Sequence, residues 1–248
     1  ANARPVPGVG SGQFPAWHPS GKTIAYTQFA DDGSQVLVRD LVAGTARRVS
    51  FAAGSNFTPT FSPNGRTVVF ASGVDGTDLW AVSLDGSDGP MRVTVGRGSE
   101  NTSPSFSPDG RRIAFASGRL GRPEIYITDA DGANPQWLTT TGFGDQSYRS
   151  DPSWAPDGRH VAFQTQVEGR FQVATINLRD LSVKQHTIEG INEQPSWAPD
   201  ARHLVITSDR SGTRQLWVLD TESGRLRQLT QGATARQGAW SPRLATAP

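Results

Sequence analysis

The chain has 248 residues, 24 basic and 23 acidic, a net charge of +1 and no cysteine. That balance excludes a phosphate-driven nucleic-acid surface, and the lack of cysteine excludes disulfides, thiol catalysis and Cys-ligated zinc. No apolar run approaches the roughly 18 residues of a membrane-spanning helix. No signal peptide is visible; the start Ala1-Asn2-Ala3 suits a chain whose export signal has been removed, or a domain taken from a longer protein.

In chain order, Ala3-Arg4-Pro5-Val6-Pro7 reads as a fourth strand placed ahead of the first repeat, because it resembles Ala46-Arg47-Arg48-Val49-Ser50. Pro5 and Pro7 leave one side of that strand without N–H donors, as an outermost edge strand allows. Then comes Pro15-Ala16-Trp17-His18-Pro19-Ser20-Gly21-Lys22, a short strand ending on an aromatic and followed by a turn. The same unit recurs from Pro59, Pro104, Pro152 and Pro195, with a clipped copy from Gly238, in steps of 44, 45, 48, 43 and 43. In the copy Ser107-Pro108-Asp109-Gly110, Pro at the second position and Gly at the fourth favour a type I turn.

Each unit carries four short strands. The third predicts them at Ser103–Phe106, Arg112–Ser117, Glu124–Asp129 and Pro135–Thr139. The expected second strands elsewhere are Thr23–Thr27, Thr67–Ser72, His160–Thr165 and His203–Ser208. Third strands are expected at Gln35–Asp40, Asp78–Ser83, Phe171–Leu178 and Gln215–Asp220, and fourth strands at Ala46–Ser50, Met91–Thr94, Val183–Thr187 and Leu226–Thr230. No window keeps apolar residues at helical spacing over three turns. A period of about 40–50 residues with four strands per unit is a propeller blade. The expectation is an all-β, six-bladed propeller of four-stranded antiparallel blades over residues 1–248 as a single domain. Its closing blade is shared by the termini, with Trp240-Ser241-Pro242 as inner strand and Arg243–Thr246 starting the next. The aromatics Trp17, Phe61, Phe106, Trp154, Trp197 and Trp240 are expected to wedge between blades.

Chemistry-bearing patterns are sparse. No Gly-x-Ser-x-Gly elbow occurs, and Gly8-Val9-Gly10-Ser11-Gly12 has no helix after it to cradle a phosphate. Asp129–Asn134 lacks the spacing and distal Glu of a calcium loop and reads better as an Asp-Gly hairpin. His18, His160, His186 and His203 are dispersed and read as structural, so neither metal nor cofactor is expected. Asn56-Phe57-Thr58 and Asn101-Thr102-Ser103 match glycosylation sequons, which matter only in a eukaryotic secretory protein.

The candidate binding residues lie where the chain enters each innermost strand: Gln13; Asn56; Asn101 and Thr102; Arg149, Ser150 and Asp151; Asn192 and Glu193; and Arg236. Ring symmetry would gather them at one channel mouth, either to bind a partner or only to solvate the channel. The insertion Thr140–Arg149 would rise above that mouth with Phe143 and Tyr148 exposed.

The Pro-x-Trp-x-Pro-Asp-Gly-Arg/Lys unit, followed by an Ile-Ala-Phe-type strand, an Ile-Tyr-type strand and a Leu-Thr ending, is similar to the repeats of the TolB-type propeller family. The clearest match runs from Ser105 to Thr139, and Gly238–Leu244 resembles the way such propellers end. The family's α/β domain ahead of the propeller, and its segment that docks an inner-membrane partner, have no counterpart in these residues. The resemblance implies a non-catalytic, monomeric protein- or peptide-binding module in the periplasm. It suggests the peptidoglycan-associated lipoprotein of the outer membrane as partner, without nucleic acid or a membrane span. The rivals are the gating propeller of a prolyl-oligopeptidase-like peptidase, a polysaccharide lyase with its site in the channel, or a structural spacer.

Overall fold

The computed structural model describes residues 6–31, 33–74, 76–96, 98–139 and 148–242. They form twenty strands in five four-stranded antiparallel sheets, each meandering in chain order. Blade 1 is β1 (Gln13–Trp17), β2 (Thr23–Ala30), β3 (Gly33–Asp40) and β4 (Ala46–Arg48). Blade 2 is β5 (Asn56–Phe61), β6 (Thr67–Ser72), β7 (Asp78–Ser83) and β8 (Met91–Arg92). Blade 3 is β9 (Asn101–Phe106), β10 (Arg112–Ser117), β11 (Glu124–Asp129) and β12 (Gln136–Trp137). Blade 4 is β13 (Arg149–Trp154), β14 (His160–Val167), β15 (Arg170–Asn177) and β16 (Val183–Gln185). Blade 5 is β17 (Asn192–Trp197), β18 (His203–Ser208), β19 (Gln215–Asp220) and β20 (Leu226–Gln228). Among the described residues there is no helix, and hence none long and apolar enough to cross a membrane.

Among the described residues the fold has five blades, which corrects the expectation of six. Residues 237–242 occupy the place between blades 5 and 1 without entering a ladder. Gln237 donates its N–H to Thr207 Oγ1 of blade 5 at 3.0 Å, and its side-chain oxygen accepts the Phe14 N–H of blade 1 at 2.8 Å. The Trp17 indole donates to the Ala239 carbonyl at 3.3 Å. A Cβ on Gly238 would lie 2.7 Å from Val205, so the segment sits tight against blade 5. The proposed next strand, Arg243–Thr246, lies outside the described residues, as do Ala3–Pro5 of the expected edge strand. Val6 and Pro7 belong to a turn, with Val9 N–H bonded to Val6 O, so they extend no strand.

Local chemistry accounts for the repeated hairpin. Gly110 N–H bonds back to Ser107 O at 2.9 Å, and the Asp109 carboxylate accepts from Ser107 Oγ at 2.6 Å and Arg111 N–H at 3.1 Å. Gly21, Gly65, Gly110 and Gly158 hold φ between 66° and 72° at the end of this turn, and Ala201 is forced to 55° at the same place. An L side chain there costs roughly 1–2 kcal/mol, part of which glycine's entropy offsets. Ala201→Gly is therefore expected to stabilise the protein by about 0.5–1 kcal/mol, read from the urea midpoint at unchanged m.

Fourth strands are shorter than the pattern predicts for a specific reason. Val49 and Ser50 both direct their N–H to Val36 O, while the Ser50 hydroxyl takes the Val36 N–H. Val93 and Thr94 treat Leu79 the same way, and Leu229 and Thr230 treat Leu216 so. The side-chain hydroxyl replaces the ladder at the strand's end.

Apolar packing is between blades. One cluster joins Ala114, Ile125 and Ile127 of blade 3 to Val161, Phe163 and Ile176 of blade 4, with Trp154 among them. Phe61 does this between blades 1 and 2, and Trp197 between blades 4 and 5. Phe106 packs against the cluster between blades 2 and 3. Trp17 and Trp240, flanking the fifth-to-first gap, are half-buried.

Candidate binding site at the channel mouth

The five inner strands and residues 237–242 surround a cavity of about 580 Å³. Its walls repeat one pattern: a residue with left-handed backbone, a Pro (Gly238 in the last copy), an aromatic and a second Pro. The left-handed residues are Phe14, Thr58, Ser103, Asp151, Gln194 and Gln237, with φ between 50° and 58°. Each of the first five marks the bulge at which its inner strand slips register against the second strand. The following proline disfavours the right-handed region for the residue before it, and a bulge re-aims a side chain where pairing lapses. Holding non-glycine residues there costs of order 1–3 kcal/mol each, which the inter-blade packing has to offset.

The ring is knit across blades. Ser103 N–H donates to Thr58 Oγ1 at 3.2 Å, and Ser103 Oγ donates to Asp151 Oδ1 at 2.7 Å. Thr207 Oγ1 donates to Gln194 Oε1 at 3.0 Å and in turn accepts from Gln237 N–H. Burial in the channel wall pushes the Asp151 carboxyl above the usual carboxylate range; the Ser103 hydroxyl works against this, and the Glu193 charge adds to the rise. Glu193 is half-buried, with Arg214 Nη1 at 3.4 Å.

The residues picked from the sequence divide into two groups. Asn56, Asn101, Arg149 and Asn192 begin their strands but are buried, which corrects the expectation that their side chains ring the channel mouth. Each closes a latch between blades. At the start of each third strand, Gln35, Asp78, Glu124, Gln172 or Gln215 accepts the hydroxyl of Ser50, Thr94, Thr139, Thr187 or Thr230, at 2.6–2.7 Å. The next blade's first residue then donates to the same oxygen: Asn101 to Asp78 at 2.7 Å, Arg149 to Glu124 at 2.8 Å, Asn192 to Gln172 at 3.0 Å, and Asn56 to Gln35 at 3.4 Å. In the fifth latch Gln215 bonds the backbone carbonyls of Gly232 and Ala233. Burial forces this use, because a polar side chain out of water must find partners.

Gln13 and Arg236 are exposed and Glu193 is half-buried, and of the sequence-picked residues Asp151 is among those lining the cavity. Five ring residues escaped the sequence reading: Phe14, Thr58, Ser103, Gln194 and Gln237. The visible signal was their fixed place, one residue ahead of each Pro or Gly238. Tyr148 is exposed and meets Phe171 edge-on at 5.5 Å; Thr140–Gly144 and the rest of the insertion to residue 147 lie outside the described residues.

The histidines serve local structure. His160 and His203 pair with their own turn carboxylates, Asp157 and Asp200, at 3.1 and 2.7 Å. His18 accepts the Ser20 N–H at Nδ1, so its Nε2 donates to Gly65 O at 3.1 Å. Asp129–Asn134 is a hairpin turn in which Asp131 accepts Ala133 N–H and a Cβ at Gly132 would overlap the Val93 carbonyl. His186, beside Thr175 Oγ1 at 2.9 Å, has its pKa lowered to about 4 by burial, then by Lys184 and His160. The unfolded imidazole, at about 6.5, therefore takes a proton first. Its contribution to stability is full above pH ~6.5 and is lost as pH falls toward 4. Thermal melts of His186→Gln should show a shallower decline across that window than the parent.

A β-propeller with a polar-mouthed channel is thus the class that fold and site define. Residues 13–244 match the TolB beta propeller domain, and the chain belongs to that family. It is 30% identical over 176 residues to the Tol-Pal system protein TolB of Francisella tularensis subsp. mediasiatica, covering 70% of this chain and 40% of that protein. The chain therefore spans about two fifths of that relative's length. The crystal structure of TolB from Acinetobacter baumannii superposes with a TM-score of 0.78 at 24% identity, over 92% of this chain and 57% of that one. A Mycobacterium tuberculosis puromycin-hydrolyzing peptidase shares the fold at 17% identity and a TM-score of 0.65, over 88% of this chain and 37% of the peptidase.

Proposed function

We propose that the chain is a non-catalytic, protein-binding propeller of the bacterial cell envelope, working as one monomeric domain in the periplasm. Its partner docks on the mouth bounded by Gln13, Asp151, Glu193 and Arg236. An outer-membrane lipoprotein is the partner that kinship with a Tol-Pal system protein suggests. The observation that carries the reading is the composition of the mouth. Strands alternate in direction, so the loops leaving the fourth strands and the hairpins between second and third strands share the face where inner strands begin. That face exposes Phe51, Val95, Ile188 and Leu229 after the fourth strands and Phe29 and Leu120 in the hairpins. An apolar rim around a charged, polar centre suits a folded polypeptide surface better than a small apolar ligand.

Glu193→Gln and Arg236→Glu are expected to reduce capture of a partner from envelope extract several-fold, the exposed Arg236→Glu without moving Tm, and added salt should weaken parental capture. Capture unchanged by both substitutions and by salt would sink the reading and point to the blade rims or the opposite face. A propeller that instead gates a peptidase, as the mycobacterial likeness allows, would retain no partner under these conditions.

A further inference from the structure

The ring has two unlike ends. In ring order Phe14 and Asp151 stand three places apart among six, and so face each other across the channel, with neutral Thr58 and Ser103 on one side and Gln194 and Gln237 on the other. Among the described residues, Ser103 Oγ is the only donor to the Asp151 side chain, and no Arg, Lys or His lies within ion-pair distance of it. The latch carboxylates and Glu193 differ: Asp78 has Arg92 at 2.5 Å, Glu124 has Arg149 at 2.8 Å, and Glu193 has Arg214 at 3.4 Å. A carboxylate in a channel wall is costly to leave without a counter-charge. Beyond the ring the cavity is lined by prolines and the inter-blade aromatics, with Thr60, Ser105, Ser153 and Ser196 between them.

We propose that this throat is a receptor for an organic ammonium or guanidinium group carried on an apolar stem, with the head at Asp151 and the stem against Phe14. A cavity of about 580 Å³ has room for a side chain of this kind. A divalent metal fits poorly: among the described residues no three His, Asp or Glu side chains gather to hold one, and calcium asks for six to eight oxygens. The inference rests on the binding-module reading in taking the head group to be a lysine or arginine of an incoming polypeptide.

The test uses the whole chain and NMR amide shifts. Phenethylammonium chloride should perturb residues 14, 58, 103, 151, 194 and 237 saturably. Its neutral isostere, 2-phenylethanol, should bind at least about ten-fold more weakly, as loss of a charge-assisted contact implies. Asp151→Asn should erase that preference, and Phe14→Ser should weaken both probes, each with the folded spectrum retained. Equal binding of the two probes, or an unchanged preference in Asp151→Asn, would overturn the proposal. So would displacement of the amine by millimolar calcium. A blocked tripeptide with central lysine should bind the same ring more tightly than its norleucine analogue; amine binding without peptide binding would overturn the polypeptide source alone. Partner capture that survives Asp151→Asn would overturn this inference and leave the binding-module reading standing.

Discussion

Replacing Trp154 with alanine is expected to cost roughly 3–5 kcal/mol, the range for truncating a buried aromatic. The ring is only 6% exposed and lies inside the cluster that joins blades 3 and 4. Arg112 adds a cation over its face at 5.0 Å. A propeller has no single core, so removing this wedge loosens the apolar seam between two sheets. Asp157→Ala, three residues on, removes only turn bonds to Arg159 N–H and His160, and should cost about 1 kcal/mol or less. Urea melts of the two variants decide the matter; the reverse order would mean that the repeat's core and turn are interchanged.

Truncating Arg149 to alanine should be comparably damaging, about 3–5 kcal/mol, because it takes the guanidinium away from the buried Glu124 carboxylate. The loss is not the worth of the ion pair itself. The latch from blade 1 to blade 2 does the same work with Gln35 and Asn56, and that from blade 4 to blade 5 with Gln172 and Asn192. The double variant Glu124→Gln with Arg149→Asn copies that neutral design. It should recover stability to within about 1 kcal/mol of the parent, since buried ion pairs are often replaceable when both partners go together. A double variant no better than Arg149→Ala would show that the charges themselves hold blades 3 and 4 together.

The hairpin and the blade order were legible because their causes are local. Pro, Asp and Gly at fixed turn positions dictate Ser107–Gly110, and β10, β11, β6, β7, β18 and β19 run over the residues the pattern predicts. The latches were written in the sequence too, as a Gln, Asp or Glu followed by Ser or Thr 15 or 16 residues later. Their meaning depends on two strands meeting at one end, which no single window shows. For that reason Asn56, Asn101, Arg149 and Asn192 read as surface residues at the mouth, although each turns into a seam. The ring of left-handed residues escaped for a different reason. Phe14 and Thr58 have side chains that disfavour φ near 51°, so composition gives no hint of it, and only the bulge imposed by pairing against the second strand puts them there. The blade count failed because residues 237–242 carry the repeat's motif but pair with no ladder among the described residues.

Photocrosslinking tests the channel-mouth account most directly. Benzoylphenylalanine placed at Gln13 or Arg236, exposed on the face where inner strands begin, should form a covalent adduct with the envelope partner. Placed at Val42 or Leu181, exposed in the hairpins of the opposite face, it should form none. Adducts from positions 42 and 181, with none from 13 and 236, would contradict the account and move the partner to the other side of the propeller.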